Sequence, residues 1–88
     1  MTIRYWRPDQ PGGLAVADVP RDHIASLGGL KQQRVRGTIN GAEYTSNVMP
    51  AGGGRLALSV SKAMLRSGGV RVGDAADFEI ELAVQGPT

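Results

Sequence analysis

Apolar and polar residues alternate in several short stretches of the chain, with the two-residue period of a strand that has one buried face. The clearest case is the stretch from Asp77 to Val84. There Phe78, Ile80, Leu82 and Val84 alternate with Asp77, Glu79 and Glu81. The pattern predicts a strand whose apolar side chains face the core and whose carboxylates face solvent.

A similar alternation precedes a short helical segment. Leu56, Leu58 and Val60 alternate with Ala57 and Ser59. Ser61 then stands at a helix N-cap position, and residues 62–67 contain good helix formers. Gly68 and Gly69 follow and are expected to end the helix. Residues 55–82 therefore predict a strand, a capped short helix, a turn and a strand.

The middle of the chain predicts a hairpin. In residues 33–39, Val35, Gly37 and Ile39 alternate with Arg34, Arg36 and Thr38. Asn40-Gly41 follows, a dipeptide that favours the tight turn in which both central residues have positive φ. Residues 42–49 are the expected partner strand. The glycines of residues 52–54 favour a second hairpin connection over a phosphate-binding loop, since they lack the spacing and the lysine of a P-loop.

The remaining segments complete a mainly β chain. Residues 3–7 predict a short strand, and Leu14 and Val16 indicate another that ends at Val19-Pro20. Residues 21–27 predict one or two helical turns, ended by Gly28-Gly29. Six strands and two short helices, with closely spaced turns, favour a small closed six-stranded β-barrel or a sandwich over a parallel sheet. We predict a single domain over residues 1–88, with a frayed tail at 85–88.

Composition narrows the class of protein. The chain has 88 residues, 41% of them hydrophobic, so its core is small and a homodimer would add buried surface. The absence of cysteine excludes disulfides, thiolate metal sites and cysteine catalysis. No apolar run approaches a membrane span, and the N-terminus lacks the apolar segment of a signal peptide, so a cytoplasmic location without membrane contact is predicted. No metal, nucleotide or redox cofactor is predicted.

Charge is segregated along the chain, although the net charge is only +2. Residues 55–73 contain no acid, and residues 74–88 contain no base. This segregation would steer an anionic partner to one face. The simpler interpretation, which we favour, is that a basic helix and an acidic strand are solvated on different sides.

Candidate binding residues are basic or aromatic. Trp6 lies between Arg4 and Arg7, and it either caps the barrel, which we favour, or contributes to an exposed patch for an anionic ligand. Arg34 and Arg36 share a strand face, which could track a phosphate backbone but is expected to pair with the acidic strand instead.

The remaining candidates do not form a catalytic pattern. Tyr44 shares a face with Ser46 and Val48, so we expect it to be buried with its hydroxyl bonded. His23 is the only histidine, and a surface position is expected for it. No nucleophile can be placed beside it from sequence.

The chain resembles a bacterial domain-of-unknown-function family whose members stand alone or precede a YdeI/OmpD-associated domain. The resemblance rests on VRGTING at residues 35–41, the Thr-Ser and Met-Pro pairs that follow it, and the run Leu-Ala-Val-Ala-Asp-Val-Pro at residues 14–20. It also rests on Leu58, Val60, Lys62, Arg66, Gly69-Val70 and Val72-Gly73-Asp74. It implies a double-split β-barrel that is distantly similar to the AbrB/MazE/SpoVT DNA-binding proteins. It implies no catalytic residues.

Three functions are compatible with these observations. The favoured one is a non-enzymatic module that binds an unknown small ligand or protein. An AbrB-like DNA-binding or regulatory protein is the alternative, and an enzyme with an unrecognised site is the third. The predicted binding residues are Arg4, Trp6, Arg34, Arg36, Tyr44, Lys62 and Arg66.

Overall fold

Six strands and two short helices make up the part of the chain that the computed structural model describes, residues 1–83. The elements in order are β1 (Ile3–Tyr5), β2 (Ala15–Asp18), α1 (Arg21–Ile24) with a 3₁₀ turn (Ala25–Leu27), β3 (Gln33–Ile39), β4 (Ala42–Gly52), β5 (Arg55–Val60), α2 (Lys62–Gly68) and β6 (Phe78–Leu82). The predicted mainly β class is confirmed. Val84 and the tail at 85–88 lie outside the described residues. Neither helix within residues 1–83 is long and apolar enough to cross a membrane.

The hairpin between β3 and β4 forms where the sequence predicts it. Asn40 and Gly41 have φ angles of 49° and 85°, the positive values that this turn requires. The Asn40 side chain also holds two other segments, because its amide donates to the carbonyl of Gly68 and its oxygen accepts from the amide of Asp77. Strand β4 continues to Gly52, past the predicted end at Met49, with a register shift after Pro50 in its pairing with β5.

All strand neighbours are antiparallel, in the order β1-β2-β5-β4-β3-β6. Strands β1 and β6 stand at the two ends of this order and do not pair with each other. The predicted closed barrel is therefore not confirmed for residues 1–83. The two ends are nevertheless linked just before β6, where the Ile3 amide donates to the Asp74 carbonyl at 2.9 Å and the Ala76 amide donates to the Met1 carbonyl at 3.0 Å.

One face of the sheet carries the main core. Its largest fully buried members include Ile3, Leu27, Val35, Ile39, Val48, Leu56 and Leu58. On β2 the residues in this core are the small Ala15 and Ala17, whereas Leu14 is 47% exposed. Val16, which has the opposite phase of the alternation, is also fully buried, although it is not part of this cluster.

Helix α2 packs against the core side of the sheet. The Ser61 hydroxyl accepts from the Met64 amide at 3.1 Å, which confirms Ser61 as the N-cap. Met64 is buried in the core, and Gly69 ends the helix in the left-handed conformation with φ 67°. Gly68 lies against Ile39 of β3, so that a Cβ there would meet that side chain at 2.9 Å. Helix α2 is thereby fixed at the end of the sheet where β1 and β5 also finish.

Candidate functional site

A basic groove runs beside α2, between that helix, the end of β1 and the turn that follows the helix. We call it the α2 groove. It has a volume of about 800 Å³ and is lined by Tyr5, Lys62, Leu65, Arg66, Val70, Arg71, Val72, Gly73 and Asp74. A smaller hollow beside Gly12, Gly13 and Leu14 shares Tyr5, Lys62, Leu65 and Val72 with it. The groove therefore extends toward the β1–β2 connection.

Three cations surround the α2 groove. Lys62 and Arg66 are one helical turn apart, so both side chains leave the same side of α2. The chain turns back after Gly69, which brings Arg71 to the groove as well. All three residues are exposed, and no salt bridge involves them within residues 1–83.

The one carboxylate in the groove is held by the backbone of the turn. Asp74 Oδ2 accepts from the Arg71 amide at 3.0 Å, and the Asp74 amide donates to the Arg71 carbonyl. These bonds fix the turn in which Arg71 lies. The carboxylate therefore has a local structural role, and the net charge around the groove is positive.

The wall of the groove is apolar. Tyr5, Leu65, Val70 and Val72 are all half-buried and form a surface between the cationic side chains. The Val70 amide donates to the Leu65 carbonyl at 3.0 Å, which holds the post-helix turn against the helix. The groove thus combines positive charge at its rim with apolar contact area.

Arg4 does not belong to this groove. It forms an ion pair across β1 and β2, with Nε 2.8 Å from Asp18 Oδ2 and a second nitrogen 2.9 Å from Oδ1. The hydrogen bond from Arg4 lowers the pKa of the Asp18 carboxyl below its usual range, although partial burial opposes the shift. Arg4 is therefore engaged in a bidentate pair that joins two strands.

Trp6 lies in the bend after β1, which ends at Tyr5 and not at Arg7 as predicted. Its side chain is half-buried, and its amide donates to the Leu14 carbonyl at 2.7 Å. It does not line the α2 groove. Its proposed role as a cap or as part of a binding patch stays a prediction.

Arg34 and Arg36 lie on the sheet face opposite the main core. Arg36 Nε is 2.8 Å from Glu81 Oε1 on β6, which confirms the predicted pairing with the acidic strand for this residue. Arg34 instead donates to the Thr45 hydroxyl at 3.4 Å. A hollow of about 760 Å³ on this face is lined by charges of both signs, including Glu43 and Glu79, so it offers less to an anion than the α2 groove.

Tyr44 is a core residue. It is 7% exposed, and its hydroxyl donates to the Glu79 carbonyl at 3.0 Å, as the sequence predicts. Burial raises the pKa of its phenol well above the ordinary value, because an ionised phenolate would lose its hydration there. Tyr44 therefore stabilises the fold.

His23 is exposed on α1, as expected. The nearby Ser26 hydroxyl donates to the backbone carbonyl of His23 at 2.8 Å, and therefore not to the imidazole. Within residues 1–83 no cluster of three or more histidine or acidic side chains could hold a metal ion.

Of the predicted binding residues, only Lys62 and Arg66 line the α2 groove, whereas Arg36 and Tyr44 both line the hollow on the opposite face of the sheet. Arg4, Trp6, Arg34, Arg36 and Tyr44 lie elsewhere. Arg71 and Tyr5 complete the groove and were not among the predicted site residues. The Gly68-Gly69 pair could have indicated that Arg71 lies beside α2, since a chain reversal at these glycines returns the following residues to the helix.

Comparison with known proteins places the chain in a family but adds no activity. The chain matches no curated protein and no solved structure. A family model described as a domain of unknown function (DUF1905) matches residues 2–80 of its 88. The predicted bacterial origin, the association with a YdeI/OmpD-type domain and the AbrB likeness do not follow from this match. The match covers most of the chain, which therefore belongs to the DUF1905 family.

Proposed function

We propose that this protein is a non-enzymatic binding module and that its α2 groove takes a small amphipathic anion. The observation that supports the proposal is the combination of three cations without a salt bridge in residues 1–83, Lys62, Arg66 and Arg71, with a half-buried apolar wall. Ligand sites in proteins are typically concave, largely apolar and supplied with a few converging polar groups. The groove has these properties and a volume in the usual range.

The positions of the cations support a role in binding because local folding does not favour them. Lys62 is the first residue of α2, where the positive end of the helix dipole disfavours a cation. Lys62 and Arg66 are also like charges one turn apart, an arrangement that costs an isolated helix about 0.2–0.5 kcal/mol. An anion in the groove would offset both repulsions.

The apolar wall determines the kind of anion. Tyr5, Leu65 and Val72 leave part of their apolar surface in water. A ligand with an aromatic or aliphatic body would cover that surface, at roughly 25 cal/mol per Å² buried, while its acidic group contacts the cations. An inorganic anion or a sugar would use only the charged rim.

A DNA-binding function receives less support from the geometry. It needs the basic residues on one face, whereas Arg34 and Arg36 lie on the sheet face opposite the core and α2 packs on the core side. Arg36 is also paired with Glu81. One chain therefore does not present the continuous basic surface that a phosphate backbone requires.

The proposal is tested with anilinonaphthalene sulfonate, a fluorescent dye with an apolar aromatic body and one sulfonate. We expect saturable binding that weakens as salt is raised. The double substitution Lys62→Gln and Arg66→Gln should weaken binding at least about fivefold, since two partly exposed charge contacts contribute of the order of 1 kcal/mol.

The matched control is the double substitution Arg21→Gln and Lys31→Gln. It removes the same charge from exposed residues outside the groove. Circular dichroism of all three proteins verifies that they are folded. Equal affinities for the dye in the two double variants, or dye binding that saturates without dependence on salt, would show that the α2 groove is not an anion site.

A further inference from the structure

Within residues 1–83, strand β6 has one edge with no strand neighbour. Hydrogen bonds from the Ala83 amide to the Arg34 carbonyl and from the Asn40 amide to the Asp77 carbonyl set the alternation of its pairing with β3. In an antiparallel pair the residues between such bonded positions direct their backbone groups away from the partner. For β6 these residues are Phe78, Ile80 and Leu82, and within residues 1–83 their amides and carbonyls have no backbone partner.

The same edge is occupied just before β6. The Ala76 amide and carbonyl both bond to Met1, and the Asp74 carbonyl accepts from the Ile3 amide. Residues 74 and 76 therefore use the edge that residues 78, 80 and 82 leave open. The pairing with the start of β1 ends at Ala76, and within residues 1–83 no strand pairs with this edge farther along β6, although the 3₁₀ turn packs close to β6.

A cleft lies along this open edge. It has a volume of about 460 Å³ and is lined by Met1, Pro20, His23, Ala76, Asp77, Phe78, Glu79 and Ile80. Phe78, Ile80 and Leu82 are half-buried and pack against the core cluster. The apolar residues of an added strand would cover the part of these side chains that is still exposed. We call this cleft and edge the β6 slot.

We propose that the β6 slot accepts an extended segment of a partner protein, which adds to the sheet as a strand with alternating apolar and basic residues. Strand addition at an exposed edge supplies affinity through main-chain hydrogen bonds and specificity through alternate side chains. This proposal is independent of the α2 groove.

Charge complementarity indicates that the partner segment carries basic residues. Asp77 and Glu79 are exposed beside the slot and form no salt bridge within residues 1–83. On the opposite edge of β6, Arg36 of β3 already pairs with Glu81. A strand in the slot that carries cations at alternate positions would repeat this cross-strand arrangement.

The same charges disfavour a second copy of this chain as the occupant. Antiparallel pairing of two β6 strands about a twofold axis would set Glu79 and Glu81 against the same residues of the other copy. Like charges facing each other across a strand pair are destabilising. A heterologous basic segment is therefore the better fit.

The test uses a capped seven-residue peptide, KVKVKVK, as the probe, with amide hydrogen exchange and chemical shifts of the folded chain as the readout. We expect saturating peptide to slow exchange at the amides of Phe78, Ile80 and Leu82 at least about tenfold, because they gain hydrogen bonds. The peptides EVEVEVE and KKKKVVV should have no such effect, since the first reverses the charge and the second keeps the composition but removes the alternation.

Substitutions in the slot separate strand addition from general charge attraction. Glu79→Lys should weaken binding of KVKVKVK at least about fivefold. Glu43→Lys is the matched control, since it makes the same change at an exposed site two strands away on the same face and should leave the affinity unchanged. Asp77→Lys replaces Glu79→Lys if the latter does not fold.

Three outcomes would overturn the proposal. The first is that the three amides stay unprotected at saturating peptide. The second is an equal loss of affinity in Glu43→Lys and in the slot variant. The third is protection of the same amides without peptide that increases with protein concentration, which would assign the slot to a second copy.

Discussion

Tyr44 connects three strands through a single side chain. It stands on β4 opposite Gly37 of β3, and its hydroxyl donates to the Glu79 carbonyl on β6 at 3.0 Å. Its ring meets Phe78 edge to face, with centroids 6.2 Å apart. The absent side chain at position 37 leaves the space over which the phenol reaches β6. Such an arrangement stabilises the sheet beyond the burial of the ring alone.

Replacing Tyr44 with phenylalanine should lower the free energy of unfolding by about 1 kcal/mol near neutral pH, the usual contribution of one hydrogen bond. The difference from the wild type should shrink as pH rises above about 10. Burial raises the folded-state pKa of this phenol, so in that range the unfolded chain loses the phenol proton before the folded chain does. Deprotonation therefore stabilises the unfolded wild type, and it has no such effect on the variant, which lacks this phenol.

Urea denaturation at pH 8 and at about pH 11 measures this change. Tyr5→Phe is the control, because the Tyr5 hydroxyl makes no hydrogen bond within the described residues. A gap between wild type and Tyr44→Phe that stays constant over this range would contradict the role assigned to burial.

Strand β3 lies between two partner strands, because β4 pairs along one edge and β6 along the other. At Gly37 the β6 backbone approaches so closely that a Cβ would overlap the Glu79 carbonyl oxygen. The φ angle of Gly37 is not positive, so the requirement for glycine here is one of space and not of backbone conformation. The close approach is a property of the pair β3–β6, which neither strand shows by itself.

Gly37→Ala is therefore expected to destabilise the protein by about 1–3 kcal/mol, the usual range for forcing extra atoms into a packed site. Gly13→Ala is the matched control, since its φ is also not positive and its Cβ would lie 3.2 Å from the nearest atom, the Gln10 carbonyl oxygen. Urea denaturation measures both. Equal stability of the two variants would mean that β6 moves away from β3 at little cost.

At the scale of the whole molecule, the two ends of the strand order are joined by hydrogen bonds before β6 but not along β6 itself. Backbone bonds join the first residues of the chain to residues 73–76, whereas β6 has only β3 as a strand neighbour among residues 1–83. The two proposed binding regions lie on either side of this bridge. The α2 groove includes the turn that ends at Asp74, and the β6 slot begins at Ala76.

Hydrogen exchange of the isolated chain should detect this division. The amides of Ala76 and Glu81 are expected to exchange slowly, because the first bonds to Met1 and the second faces β3. The amide of Ile80 should exchange faster than both, since it points into the β6 slot. Equally slow exchange at Ile80 and Glu81 in dilute protein would indicate a closed barrel.

Local sequence patterns determined most of the secondary structure. Asn40-Gly41 specified the hairpin because both residues must take positive φ, and Ser61 with Gly69 specified the two ends of α2. The alternation around Ile80 specified which side of β6 faces the core. Each of these signals depends on residues that are near one another in the chain, so the backbone preferences of single residues are enough to give them.

Only the tertiary structure decided the features that depend on contacts between distant segments. It showed that Arg4 pairs with Asp18, that Arg71 joins Lys62 and Arg66, and that one edge of β6 has no strand neighbour within residues 1–83. It also showed that β2 buries its alanines in the main core while Leu14 is exposed. Sequence alone determined the strands and turns of this protein, because these follow from local backbone preference and periodicity. Strand order, sheet closure and the grouping of charges depend on how distant segments pack, and periodicity within a segment carries no information about its neighbours.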